Sequence, residues 1–170
     1  GALGALVRRL APQARGREPE PAAAAALAQL ALVYRQLLAH PDEGLLRRLL
    51  RADAVAGLFG ALEHDEAAGH AQTPHVNVQY TAYLAAPGRF KMPVPIRDAT
   101  TLARVHMNAH IALLTEAALP LALEPDTVAA LGALAANNGR EIVAALAADA
   151  AFMRSLADGL RDSAEASADG

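Results

Sequence analysis

The sequence has no cysteine, no tryptophan and only 4% aromatic residues among its 170 positions. Without cysteine there is no disulfide, no thiolate zinc or iron–sulfur ligation and no thiol catalysis. Such a shortage of aromatic strand formers argues against a sandwich or a barrel. Serine occurs only at Ser155, Ser163 and Ser167, too near the end of the chain for a buried triad. There is no Gly-x-Ser-x-Gly turn and no glycine-rich loop running into Lys-Ser or Lys-Thr, so neither a nucleophile elbow nor a phosphate loop is expected. The net charge of −3 lacks the basic excess of a dedicated nucleic-acid binder, and no nucleic-acid partner is expected. The longest apolar run, residues 22–34, is mostly alanine and is interrupted by Gln29. It falls short of the roughly 20 residues that span a bilayer.

Arg8, Arg9, Arg15 and Arg17 ahead of that run imitate the charged start of a secretory leader. Pro19 and Pro21 separate them from it, and the run continues into an amphipathic pattern through Arg35, as the first helix of a fold would. Lys91 is the only lysine beside 14 arginines, a bias we read as genomic composition.

What fills the chain is 44 alanines and 26 leucines, the strongest helix formers. A chain of this length buries about 70% of its unfolded surface and needs no metal or disulfide to fold. The composition therefore predicts an all-α fold, a single-domain bundle of six to seven helices, without internal repeats. Residues 1–21 read as a flexible or short-helix lead, 22–162 as the domain and 163–170 as a disordered tail. Leu27, Leu30, Tyr34 and Leu37 or Leu38 form one stripe of a helix that starts near Pro21 and stops at His40-Pro41. Asp42 is a natural cap for a second helix carrying Leu45, Leu46, Leu49 and Leu50, and residues 54–63 continue as a third. Residues 63–74 read as a loop, 76–86 as a helix and 87–96 as a proline-rich connector. A long helix over 98–119 is capped by Asp98 or Thr100, and another runs from Pro125 to a C-cap at Asn137-Asn138-Gly139. The last covers 141–161.

Four features could carry function. His106 and His110 lie four apart on one helix face and could chelate a metal, with loop residues His64, Asp65, Glu66, His70 and His75 as further ligands; Glu116, six residues beyond His110, lies on a different face. No Glu-x-x-His motif of a di-iron bundle is present, so the alternative is two half-buried polar residues. Residues 80–95 carry Tyr80 and Tyr83 into a proline-rich loop with Phe90 and Met92, either a binding lip or a connector packed on the core. Glu124 and Asp126 open a helix, where carboxylates satisfy free N–H groups or contact a basic peptide.

Taken together, these segments resemble the cytoplasmic maturation chaperones of molybdenum redox enzymes, of the TorD/DmsD/NarJ type. Leu32 to Glu43 looks like that family's first helix with its Pro-Asp element. Tyr80 to Pro95 looks like its middle helix and proline-rich loop. Glu124-Pro125-Asp126-Thr127 is similar to its acidic helix start, with Thr127 where the family carries histidine. The resemblance implies a cytoplasmic, non-enzymatic helical protein without a cofactor. It would bind the twin-arginine leader of a client redox-enzyme subunit until molybdoenzyme assembly is complete. Tyr80, Tyr83, Phe90 and Met92 would then wall the peptide groove, and Glu116, Glu124 and Asp126 would meet the arginines. The alternative is a small metal-binding protein using His106 and His110. A helical interaction or regulatory domain without chemistry is a third reading.

Overall fold

The computed structural model describes residues 21–63, 84, 92–118 and 123–168. Among them are six α-helices and no strand. The expected all-α class is what the structure has. The helix over residues 76–86 and the loop over 63–74 lie outside the described residues, Leu84 and Glu63 apart. Residues 92–98 carry no regular structure, as their prolines require.

α1 (Pro21–Leu38) begins on a proline, whose missing N–H costs nothing in a first turn. Its buried stripe is Leu27, Leu30, Ala31, Tyr34 and Leu38. It stops two residues short of His40, which precedes Pro41 and is disfavoured in α geometry. α2 (Glu43–Leu49) is capped by the Asp42 carboxylate, which accepts from the Leu45 amide at 2.7 Å. α3 (Ala52–Leu62) lies at the centre of the core. Val55, Gly57, Leu58, Phe59, Gly60, Ala61 and Leu62 are all buried. Gly57 and Gly60 carry no side chain, which suits the crowded middle of the bundle.

α4 (Ala99–Ala112) starts where the Asp98 carboxylate accepts from the Thr101 amide at 2.6 Å. Its continuation differs from the expected single α-helix, because residues Leu113–Ala118 form a π-helix. The Thr115 hydroxyl donates to the Ile111 carbonyl at 3.0 Å, with the Ala112 carbonyl 3.3 Å away. α5 (Pro125–Ala148) runs straight through Asn137-Asn138-Gly139, the expected C-cap. Glycine inside a helix costs about 1 kcal/mol. The helix nevertheless continues through the wholly buried Asn138, which has partners on two other helices. The break comes at Asp149, whose carboxylate accepts from the Ala151 and Phe152 amides and so caps α6 (Ala150–Ala168). α6 also runs past Arg161, through residues expected to fray. α1 packs on α3; α3 also meets α2 and α4; α4 and α5 share the most extensive contact, and α5 also meets α2 and α6.

Candidate functional site

The polar chemistry of the described residues gathers where helix ends meet other helices. A helix leaves its last carbonyls without intrahelical partners, and here side chains from distant helices reach them. The Thr127 hydroxyl, fully buried in the first turn of α5, donates to the Leu38 carbonyl at the end of α1 at 2.7 Å. His110 Nδ1, on α4, sits 2.9 Å from the carbonyl of Leu50, the residue that closes α2. The carbonyl can only accept, so His110 carries its proton on Nδ1.

A third tie runs deeper. Arg47 of α2 donates from Nη1 to Asn138 Oδ1 at 3.3 Å. Asn138 donates from Nδ2 to Asn108 Oδ1 at 3.0 Å, and Asn108 donates from Nδ2 to the Ala135 carbonyl at 3.1 Å. At the surface end, Arg47 Nε is paired with Glu43 at 2.8 Å. Arg104 of α4 and Glu141 of α5 add an ion pair along the same contact.

The same geometry places the histidine pair. His110 is buried and its Nδ1 is engaged with Leu50, while His106 is half-buried one turn earlier. Among the described residues, no group of three or more His, Asp or Glu comes together as metal ligands. Glu116 is exposed on the π-helical segment, and His64, Asp65, Glu66, His70 and His75 lie outside the described residues. Among the described residues the metal-binding alternative finds no support, and His110 caps the end of α2.

Burial holds the His110 imidazole below the usual histidine range, opposed by the bond to Leu50 and reinforced by His106. The unfolded chain then binds this proton more readily than the folded one. Stability is complete above the ordinary histidine value of about 6.5 and is lost as the pH falls below it toward the folded value. Thermal midpoints measured across this range should fall more for the wild type than for His110→Gln, which keeps an N–H for Leu50 but does not titrate. Parallel curves would show that His110 is not the group responsible.

The remaining expected residues are described only in part. Met92 is half-buried in the irregular segment before α4. Glu124 precedes α5 as an exposed N-cap without a side-chain cap bond, and Asp126 is exposed in the first turn. Tyr80, Tyr83 and Phe90 lie outside the described residues. Sequence reasoning named Thr127 only within a motif and Asn138 only as part of a C-cap, and passed over Asn108. Their one signal was a polar residue at a core position of an apolar stripe, as Thr127 and Asn138 are beside Leu131 and Leu134. The outer surface of the last two helices also exposes Val143, Met153 and Leu160. No described helix is long and apolar enough to cross a membrane.

The family model for Phosphatase 4 regulatory subunit 3 matches residues 17–169. Among curated proteins, "Suppressor of Mek1" from Dictyostelium discoideum is 23% identical over 130 residues, covering 76% of this chain and 12% of that protein. The chain thus spans a small part of that relative's length. No solved structure matches significantly. These matches overturn the resemblance to TorD/DmsD/NarJ-type chaperones, and with it redox-enzyme maturation, the molybdoenzyme client and the twin-arginine leader as partner. The misleading elements have a plain physical origin. Pro41-Asp42 and Pro125-Asp126 mark helix boundaries, a task common to helical proteins of any family.

Proposed function

The chain belongs to the phosphatase 4 regulatory subunit 3 family, and from that premise we propose that it is a helical portion of a larger regulatory subunit that holds a phosphatase catalytic subunit and performs no chemistry of its own. The carrying observation is the family match, which extends across all six described helices. The structure supports it physically. A holding surface gains affinity when its shape is set before binding. Here α1 and α2 are each pinned at their C-terminal ends by side chains from α5 and α4. The cytoplasm is the proposed compartment, and a chain without cysteine suits a reducing environment.

The test is kinetic. Purified chain is added to a phosphatase 4 catalytic subunit, and phosphate release is followed from a phosphoprotein and from a small aryl phosphate. We expect a severalfold change with the phosphoprotein, little change with the aryl phosphate, and no release by the chain alone. Turnover by the chain alone, or no effect on the phosphoprotein at saturating chain, would contradict the proposal.

A further inference from the structure

The links from Arg47 to the Ala135 carbonyl all donate in one direction. Arginine can only donate and stays protonated, so it obliges Asn138 to present its oxygen outward and its amide nitrogen inward. That nitrogen in turn obliges Asn108 to present its oxygen, leaving the Asn108 nitrogen for a backbone carbonyl. Flipping either amide would set donor against donor or acceptor against acceptor. A cation on α2 therefore fixes the orientation of two amides, one wholly buried, across α5 and α4.

The helix that carries this cation is the one least able to place itself. α2 has seven residues, too few to persist alone. Its other anchors on the core are Leu46, Leu49 and Leu50, whose apolar contacts are not directional, and the His110 bond to the Leu50 carbonyl, which holds only its C-terminal end. Sliding α2 along α5 by one helical turn, about 5.4 Å, is not forbidden by apolar contacts, which lack direction. It would take Arg47 away from Asn138 and leave a buried amide oxygen without its donor. The sequence bears a local cost for the arrangement. Asn137-Asn138-Gly139 is poor helix-forming sequence in the middle of a 24-residue helix, and a β-carbon on Gly139 would meet nothing within 4 Å, so packing does not demand the glycine.

We propose that the Arg47–Asn138–Asn108 chain is a register latch: it selects one seating of α2 on the α4–α5 pair and contributes to uniqueness of shape more than to net stability. Buried polar groups at single positions serve as register devices in helical assemblies. The latch stands on this geometry alone, independently of the phosphatase reading.

Amide hydrogen exchange of the full chain tests it, with the thermal midpoint measured alongside. Arg47→Met removes the cation but keeps an apolar stem, Glu43→Gln removes only the surface ion pair, and Arg48→Met changes an exposed neighbour on the same helix. We expect Arg47→Met to speed exchange across residues 43–50 by about tenfold or more while α1 and α3 stay near wild type. Glu43→Gln and Arg48→Met should leave all helices unchanged. In the double variant Asn108→Leu with Asn138→Leu, the midpoint should stay close to wild type while α2 exchange accelerates as in Arg47→Met. Unchanged α2 exchange in Arg47→Met would overturn the latch. So would acceleration spread evenly over all helices, which is the signature of a merely stabilising contact.

Discussion

Phe59→Ala should be the most destabilising single truncation among the described core residues. Phe59 is the largest of the fully buried side chains and lies in the middle of α3, the helix that meets α1, α2 and α4. Truncation removes the ring's burial and leaves a cavity that fixed helices close only in part, a loss of about 3–5 kcal/mol. At roughly 2–4 °C per kcal/mol for a chain of this size, the midpoint should fall by about 6–20 °C. Val143→Ala is the control. Val143 is 67% exposed, so the same chemistry there should move the midpoint very little. Equal effects at the two positions in a thermal melt would mean that α3 is not the centre of the core.

Thr127→Val should come next. Valine has nearly the same shape, so the packing survives while the hydroxyl is lost. The Leu38 carbonyl at the end of α1 is then left without its donor, at a cost of about 1–3 kcal/mol. Thr127→Ser keeps the donor and loses one methyl group, worth about 0.8 kcal/mol. The serine variant should therefore melt above the valine variant. If valine proves the more stable of the two, the cap contributes nothing and the burial of Thr127 is packing alone. Thr115→Val, at a half-buried hydroxyl bonded only within its own helix, should be nearly silent.

These two residues also mark what could be read from the sequence. Leu27, Leu30, Tyr34 and Leu38 recur at helical spacing and are buried as one stripe, because burial of an amphipathic face is a local signal. Asp42 and Asp98 cap α2 and α4 for the same reason: the cap bond reaches only three residues ahead. Asn137-Asn138-Gly139 reads locally as a helix end, yet the helix continues, because Asn138 finds partners 30 and 91 residues away in sequence. No local pattern carries that information. Asp149 could have been recognised, since it precedes Ala150 as a capping residue, but the preceding Asn-Gly was the stronger stop signal. His106 and His110 illustrate the limit for function. Their spacing puts them on one face, and only the fold shows that His110 is committed to the Leu50 carbonyl. Family membership was illegible for a related reason. In an alanine- and leucine-rich chain, apolar spacing and Pro-Asp helix starts follow from helix physics, so they are shared by unrelated helical proteins.

We propose above that this chain holds a phosphatase catalytic subunit. Calorimetric titration of the 170-residue chain into a purified phosphatase 4 catalytic subunit tests it directly. The account predicts saturable one-to-one binding with a Kd of about 1 μM or tighter, near −8 kcal/mol, and co-elution of the two proteins on a sizing column. Titration heats no larger than dilution, with the proteins eluting separately, would contradict it.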